Sequence, residues 1–175
     1  TPIYETKRVA SDDEAGDIFG WDVDVLGNLV LAGAPNEDAG GSNAGAAYLY
    51  RRNFFNGWTQ SQKFVAPDAT AGDQFGRSVA ISKIYVAIGA PYTDDNGSSS
   101  GSVYIYKYYA GTYVFHQEIK AWDAAAFDNF GISVAMTNNR LIVGASGNDD
   151  LGSNSGSVYA FELNSAGYWQ KWDKY

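Results

Sequence analysis

Apolar and polar residues alternate in short windows along most of this chain, the two-residue period of an extended strand with opposite faces. "SVYIYKYY" at 102–109 and "TYVFHQEI" at 112–119 carry it, with a turn at Ala110-Gly111 between them. Upstream, "FGRSVAI" and "KIYVAIGAP" meet around Ser82-Lys83, and the polar loop "YTDDNGSSSG" leads onward to residue 102. The turn matching Ala110-Gly111 in an earlier stretch is Asn56-Gly57, a strong short hairpin signal. No window sustains a 3.6-residue apolar period, so the pattern predicts an all-β chain with very little helix.

The pattern also recurs. "GDIFGWDVDVLGNLVLAGAP", "GDQFGRSVAISKIYVAIGAP" and "FDNFGISVAMTNNRLIVGAS" place Phe19-Gly20, Phe75-Gly76 and Phe130-Gly131 at spacings of 56 and 55 residues. Gly33-Ala34-Pro35, Gly89-Ala90-Pro91 and Gly144-Ala145-Ser146 keep the same phase, as do Asp12, Asp68 and Asp123 and the glycines 45, 101 and 156. Repeats of this length, each reading as four short strands, predict propeller blades or a solenoid of hairpins. Each phenylalanine is expected to anchor packing between neighbouring units, and the glycine after it to let backbones approach closely. Counted from their aromatic opening strand, the units run 2–57, 58–112 and 113–167. Residues 168–175 remain as one extra terminal strand, a thirteenth. Three units are fewer than the four to eight blades of a typical closed propeller, so both end units are expected to present edges that seek partners.

The motifs "DxFGxSVA", "IxVGAP" and "GSVYxY" resemble FG-GAP repeats, the blades of integrin-α-type β-propellers. The resemblance implies four-stranded antiparallel blades in a partial or oligomer-completed propeller-like array, and an extracellular or cell-surface module for adhesion or recognition. Implied partners are other copies of the chain, another extracellular protein or a glycan. A structural subunit of a ring or filament and an accessory binding domain of a secreted hydrolase are the alternatives. It further implies a calcium-binding Asp-x-Asp-x-Asp-Gly hairpin between the first two strands of a blade. Here those connections are "VLGN", "ISKI" and "MTNNR", without a carboxylate cluster. No cofactor is therefore expected, and calcium is not favoured.

Composition narrows the function classes. The formal charge of −8 and pI near 4.4, with no basic stripe, argue against nucleic acid and against an anionic membrane surface. No apolar run approaches the ~20 residues of a spanning helix, so no membrane insertion is expected. With no cysteine there is no disulfide scaffold and no thiolate metal site. The remaining acidic candidates are Asp38, Asp94, Asp95, Asp149 and Asp150, in the loops after Gly-Ala-Pro or Gly-Ala-Ser. They are suitable oxygen ligands for calcium, and equally suitable for Asx turns.

"GSSSG" at 97–101 matches a nucleophile pattern that needs a strand–turn–helix context, whereas here a loop precedes a strand. His116 is the only histidine and lies in a strand; its aligned counterparts are Ser61 and Lys171. With no catalytic constellation, the chain reads as a non-enzyme. Asn96-Gly97-Ser98 has the form of an N-glycosylation acceptor. The aromatic tail "YWQKWDKY" predicts an interface through Trp169, Trp172 and Tyr175.

Overall fold

A computed structural model describes residues 7–54 and 57–175. It holds twelve strands and, among the described residues, no helix. The first sheet comprises β1 (Val23–Leu26), β2 (Leu29–Ala34), β3 (Ala46–Arg52) and β4 (Trp58–Phe64). The second comprises β5 (Ser78–Ile81), β6 (Tyr85–Ala90), β7 (Ser102–Tyr109) and β8 (Thr112–Ile119). The third comprises β9 (Phe130–Met136), β10 (Arg140–Ala145), β11 (Ser157–Leu163) and β12 (Trp169–Lys174). All pairings are antiparallel and follow chain order, so each sheet is a four-stranded meander.

The sheets divide the repeat at a different point from the sequence units. The strand that opens one unit is the fourth strand of the preceding sheet: β4 pairs with β3, and β8 with β7. Residues 168–175 accordingly supply β12, paired with β11, and are no surplus appendage. The expected opening strand at 2–9 lies largely outside the described residues, as does Asn56 of the predicted turn, and residues 7–9 carry no strand.

Alternation places the core between sheets. Leu31, Leu49 and Phe64 of the first sheet meet Val79, Val86, Ile88, Tyr104 and Tyr106 of the second. The other face of the second sheet (Ala87, Val103, Ile105) meets Leu141, Val143, Tyr159 and Phe161 of the third. Packing runs from first to second to third sheet without closing on itself. The outer face of the first sheet carries a smaller cluster around Tyr48 and Tyr50, and there Val23 and Val25 are 60% and 64% exposed.

Candidate functional site

Two features repeat with the blades, and both change at particular positions. The first is a glycine seam. Phe75 and Phe130 are fully buried and pack edge-on against Tyr104 and Tyr159, at centroid distances of 5.5 and 5.3 Å. Their backbones lie along the preceding blade: Phe75 N donates to Ala44 O at 2.8 Å, and Phe130 N to Ser100 O at 3.0 Å. A Cβ at Gly33 would run into the Gly76 carbonyl oxygen, and one at Gly45 into Phe75 O. The next junction is built alike, with Gly89 against Gly131 O and Gly101 against Phe130 O. No side chain fits where two backbones touch, which is why glycine recurs there. Gln62 and Gln117 clamp the same junctions from the outer strands. Gln62 Nε2 donates to Tyr113 O at 2.6 Å while its Oε1 accepts from Tyr113 N at 3.0 Å. Gln117 does the same to Trp169, at 2.9 Å in both directions.

At the two ends of the array the seam is open. Among the described residues a Cβ at Gly20 would meet nothing within 4 Å, and Phe19 is only partly buried. A Cβ at Gly156 would come no closer than 3.6 Å to any atom, and one at Gly144 would crowd only the Ser133 hydroxyl of its own sheet. Gly144, Gly156, Ile132, Val158 and Tyr175 line a groove of about 330 Å³, at the position that the next Phe-Gly occupies in the other two blades.

The second feature is an ionic clasp at the loop end of each blade. Across β3 and β4, Tyr48 lies opposite Lys63; across β11 and β12, Tyr159 lies opposite Lys174. Tyr48 donates to Asp12 at 2.9 Å, and Lys63 Nζ bridges Asp12 at 2.6 Å and Glu37 at 2.7 Å. Tyr159 donates to Asp123 at 2.8 Å, and Lys174 Nζ bridges Asp123 at 2.6 Å and Asp150. Burial pushes the Asp12 carboxyl up, but hydrogen bonds from Lys63 and Tyr48 outweigh it and hold the group below 3.8; Lys174 and Tyr159 do the same for Asp123. Burial pushes the Tyr159 hydroxyl up to about 12.

In the middle blade the residue opposite Tyr104 is Glu118, not lysine. Oxygens of Asp68, Asp95 and Glu118 lie within 4.8 Å of one another. Lys120 reaches Asp95 at 3.1 Å and Glu118 at 3.2 Å, and Ser102 Oγ donates to Glu118 at 2.8 Å. Burial raises the Glu118 carboxyl above 4.5 against the pull of Ser102 and Lys120.

The FG-GAP repeat family matches this chain three times, over residues 4–50, 58–106 and 113–161. The chain belongs to the FG-GAP repeat family. No curated protein matches it.

The FG-GAP motif itself is the seam: Phe-Gly of one blade fits the Gly-Ala-Pro and loop glycines of the blade before it. The loop aspartates act within their own blades. Asp38, Asp94 and Asp149 each accept a hydrogen bond from the backbone five residues on, at Asn43, Ser99 and Asn154, at 2.6–2.8 Å. Those three donor positions hold left-handed φ of 54°, 52° and 51°, so each aspartate caps a tight turn. Asp95 and Asp150 pair with Lys120 and Lys174. Of the five, only Asp95 belongs, among the described residues, to a group of three converging carboxylates, and its companions Asp68 and Glu118 were not among the sequence candidates.

Asn96 is exposed in its loop. His116 Nε2 donates to Gly167 O at 2.8 Å while the ring stacks on Tyr168, and Ser99 sits in the left-handed turn that Asp94 caps. The bulged residue of the fourth strand is Ser61, His116 or Trp172 in the three blades, so Trp172, rather than Lys171, is the equivalent of His116. Trp169 departs from expectation: it is 3% exposed, packed against Tyr85 at 5.5 Å, and forms the core of its own chain instead of an interface. Trp172 is half exposed under the Arg140 guanidinium at 4.2 Å, and Tyr175 is exposed beside the open groove.

Proposed function

We propose that this chain is a non-enzymatic, extracellular binding module that works by docking one FG-GAP edge into another, with a second copy of itself as the partner. One observation carries the reading. The Gly144–Gly156 groove is uncovered, while its two counterparts each hold the Phe-Gly backbone of a following blade. The complementary edge, Phe19-Gly20 with exposed Val23 and Val25, stands at the opposite end of the same chain. Such a contact joins two different surfaces, so it propagates into a ring or a filament. It is weaker than the internal junctions, because Asp173 stands where Gln62 and Gln117 form their clamps. A carboxylate accepts from a backbone N–H but cannot donate to the carbonyl. Net negative charge and the extracellular setting common to FG-GAP proteins fit a role in adhesion or recognition. Light scattering on the chain over a concentration series tests the reading: mass should rise with concentration in steps of one chain. A constant monomer mass up to tens of micromolar, the scale of micromolar contacts, would exclude self-docking and leave only docking to a different FG-GAP edge.

A further inference from the structure

We propose that the middle blade binds a divalent cation, calcium by size, between Asp68, Asp95 and Glu118, with Thr93 Oγ1 as a fourth, neutral oxygen ligand. The flanking blades place a cation at the corresponding position. There the ammonium of Lys63 or Lys174 sits among two carboxylates below a tyrosine hydroxyl. The middle blade keeps the equivalent tyrosine, Tyr104, and the equivalent aspartate, Asp68, but substitutes Glu118 for the lysine. The position thereby loses a positive charge and gains a negative one. Lys120 enters from two residues further on and pairs with Asp95 and Glu118, while among the described residues no ammonium or guanidinium lies within 4 Å of Asp68. Three carboxylates against one ammonium leave two negative charges, which a divalent ion balances.

An independent observation points to the same ligand. Thr93 is 3% exposed, and its hydroxyl oxygen is buried without any hydrogen-bond partner. Leaving such a group unmatched is costly, and Thr93 lines the same cavity of about 240 Å³ as Asp68, Asp95 and Tyr104. The equivalent position in the first blade is Glu37, which binds the lysine cation. Size selects among cations. Oxygens up to 4.8 Å apart both lie within reach of a calcium ion, with bonds of about 2.3–2.6 Å, whereas magnesium at about 2.0–2.1 Å demands a tighter set. The site lies at the opposite end of the blade from the 82–84 hairpin, so it differs from the acidic first-hairpin loop that this chain lacks.

The test uses the full chain after chelator treatment, with Tb³⁺ and Ca²⁺ as probes. Tb³⁺ should emit on tyrosine excitation, and Ca²⁺ should displace it at least about tenfold more effectively than Mg²⁺. Ca²⁺ at roughly ten times its Kd should raise Tm by about 3–5 °C. Glu118→Lys, which restores the lysine of the flanking blades, should abolish both responses and melt no lower than the original chain in chelator. Should that variant fold poorly, Asp68→Asn tests the same ligand set and should weaken Tb³⁺ binding about tenfold or more with an unchanged circular dichroism spectrum. Thr93→Val should melt higher in chelator and bind Tb³⁺ several-fold more weakly. No Ca²⁺-dependent shift at several millimolar, or undiminished Tb³⁺ affinity in Glu118→Lys and Asp68→Asn alike, overturns the proposal.

Discussion

At the scale of single residues the repeat is a set of conformational demands that the blades answer unequally. The residue before each Phe-Gly is left-handed: Ile18, Gln74 and Asn129 have φ of 55°, 54° and 55°. Asparagine adopts that region readily, whereas a β-branched residue is strained there. Ile18→Asn should therefore stabilise the protein by about 1 kcal/mol, read as a higher urea midpoint at unchanged slope. An unchanged or lower midpoint would mean that the 44%-exposed Ile18 side chain contributes more than its backbone strain costs. The seam glycines differ by context. Gly89→Ala forces a Cβ into the Gly131 carbonyl and should cost upwards of about 3 kcal/mol. Gly144→Ala meets only the rotatable Ser133 hydroxyl and should stay within about 0.5 kcal/mol of the original. Phe-Gly and the loop glycines could be read from the sequence because they recur as invariant letters. Glu118 could not, because the exception to a pattern is visible only once the pattern is aligned, and the β7–β8 hairpin, one residue shorter than its counterparts, shifts that alignment by one residue.

At the scale of elements, strand alternation and turn residues anticipate the twelve described strands, and the missing helical period anticipates the absence of helix among the described residues. The sheet boundary was not legible. The sequence repeats with one period wherever counting begins, and only hydrogen bonding decides which four strands share a sheet. This is why residues 168–175 read as an extra terminal strand. The burial of Trp169 is hidden for the same reason: an aromatic in a polar tail reads as interface until β11 is seen beside it. Removing residues 168–175 should strip the outer strand and a buried tryptophan from the third sheet, at a loss of about 4 kcal/mol or more. A truncated chain with an undiminished urea midpoint would contradict this placement.

At the scale of the whole molecule, the clasps set a pH response. Asp12 and Asp123 are held low, so their stabilisation is complete above the ordinary carboxylate range and is lost as pH falls below 3.8 through their folded values. Lys63 and Lys174 are held high despite burial, through hydrogen bonds to those carboxylates; their stabilisation is present below 10.5 and lost as pH rises through the folded values. Glu118 has the opposite sign to the aspartates. Burial raises it, so the folded state favours the protonated form, and stability falls as pH rises from 4.5 through its folded value. In chelator, Glu118→Gln should remove that decline and keep the loss below pH 3.8; urea midpoints across pH 3–8 check both limbs. A decline above pH 4.5 that survives the substitution would assign it to another group, Asp73 being the next, since burial raises it too.

The central proposal is that the third blade carries an open FG-GAP seam that receives the Phe-Gly edge of a second copy. Sedimentation velocity on the chain beside its Gly144→Ala variant, over a range up to tens of micromolar, tests it most directly. At Gly89, the same position one junction earlier, a Cβ would strike the incoming Gly131 carbonyl. The account predicts concentration-dependent association for the original chain and a monomer of unchanged stability for the variant. Equal association of the two, or a monomer in both, would contradict it.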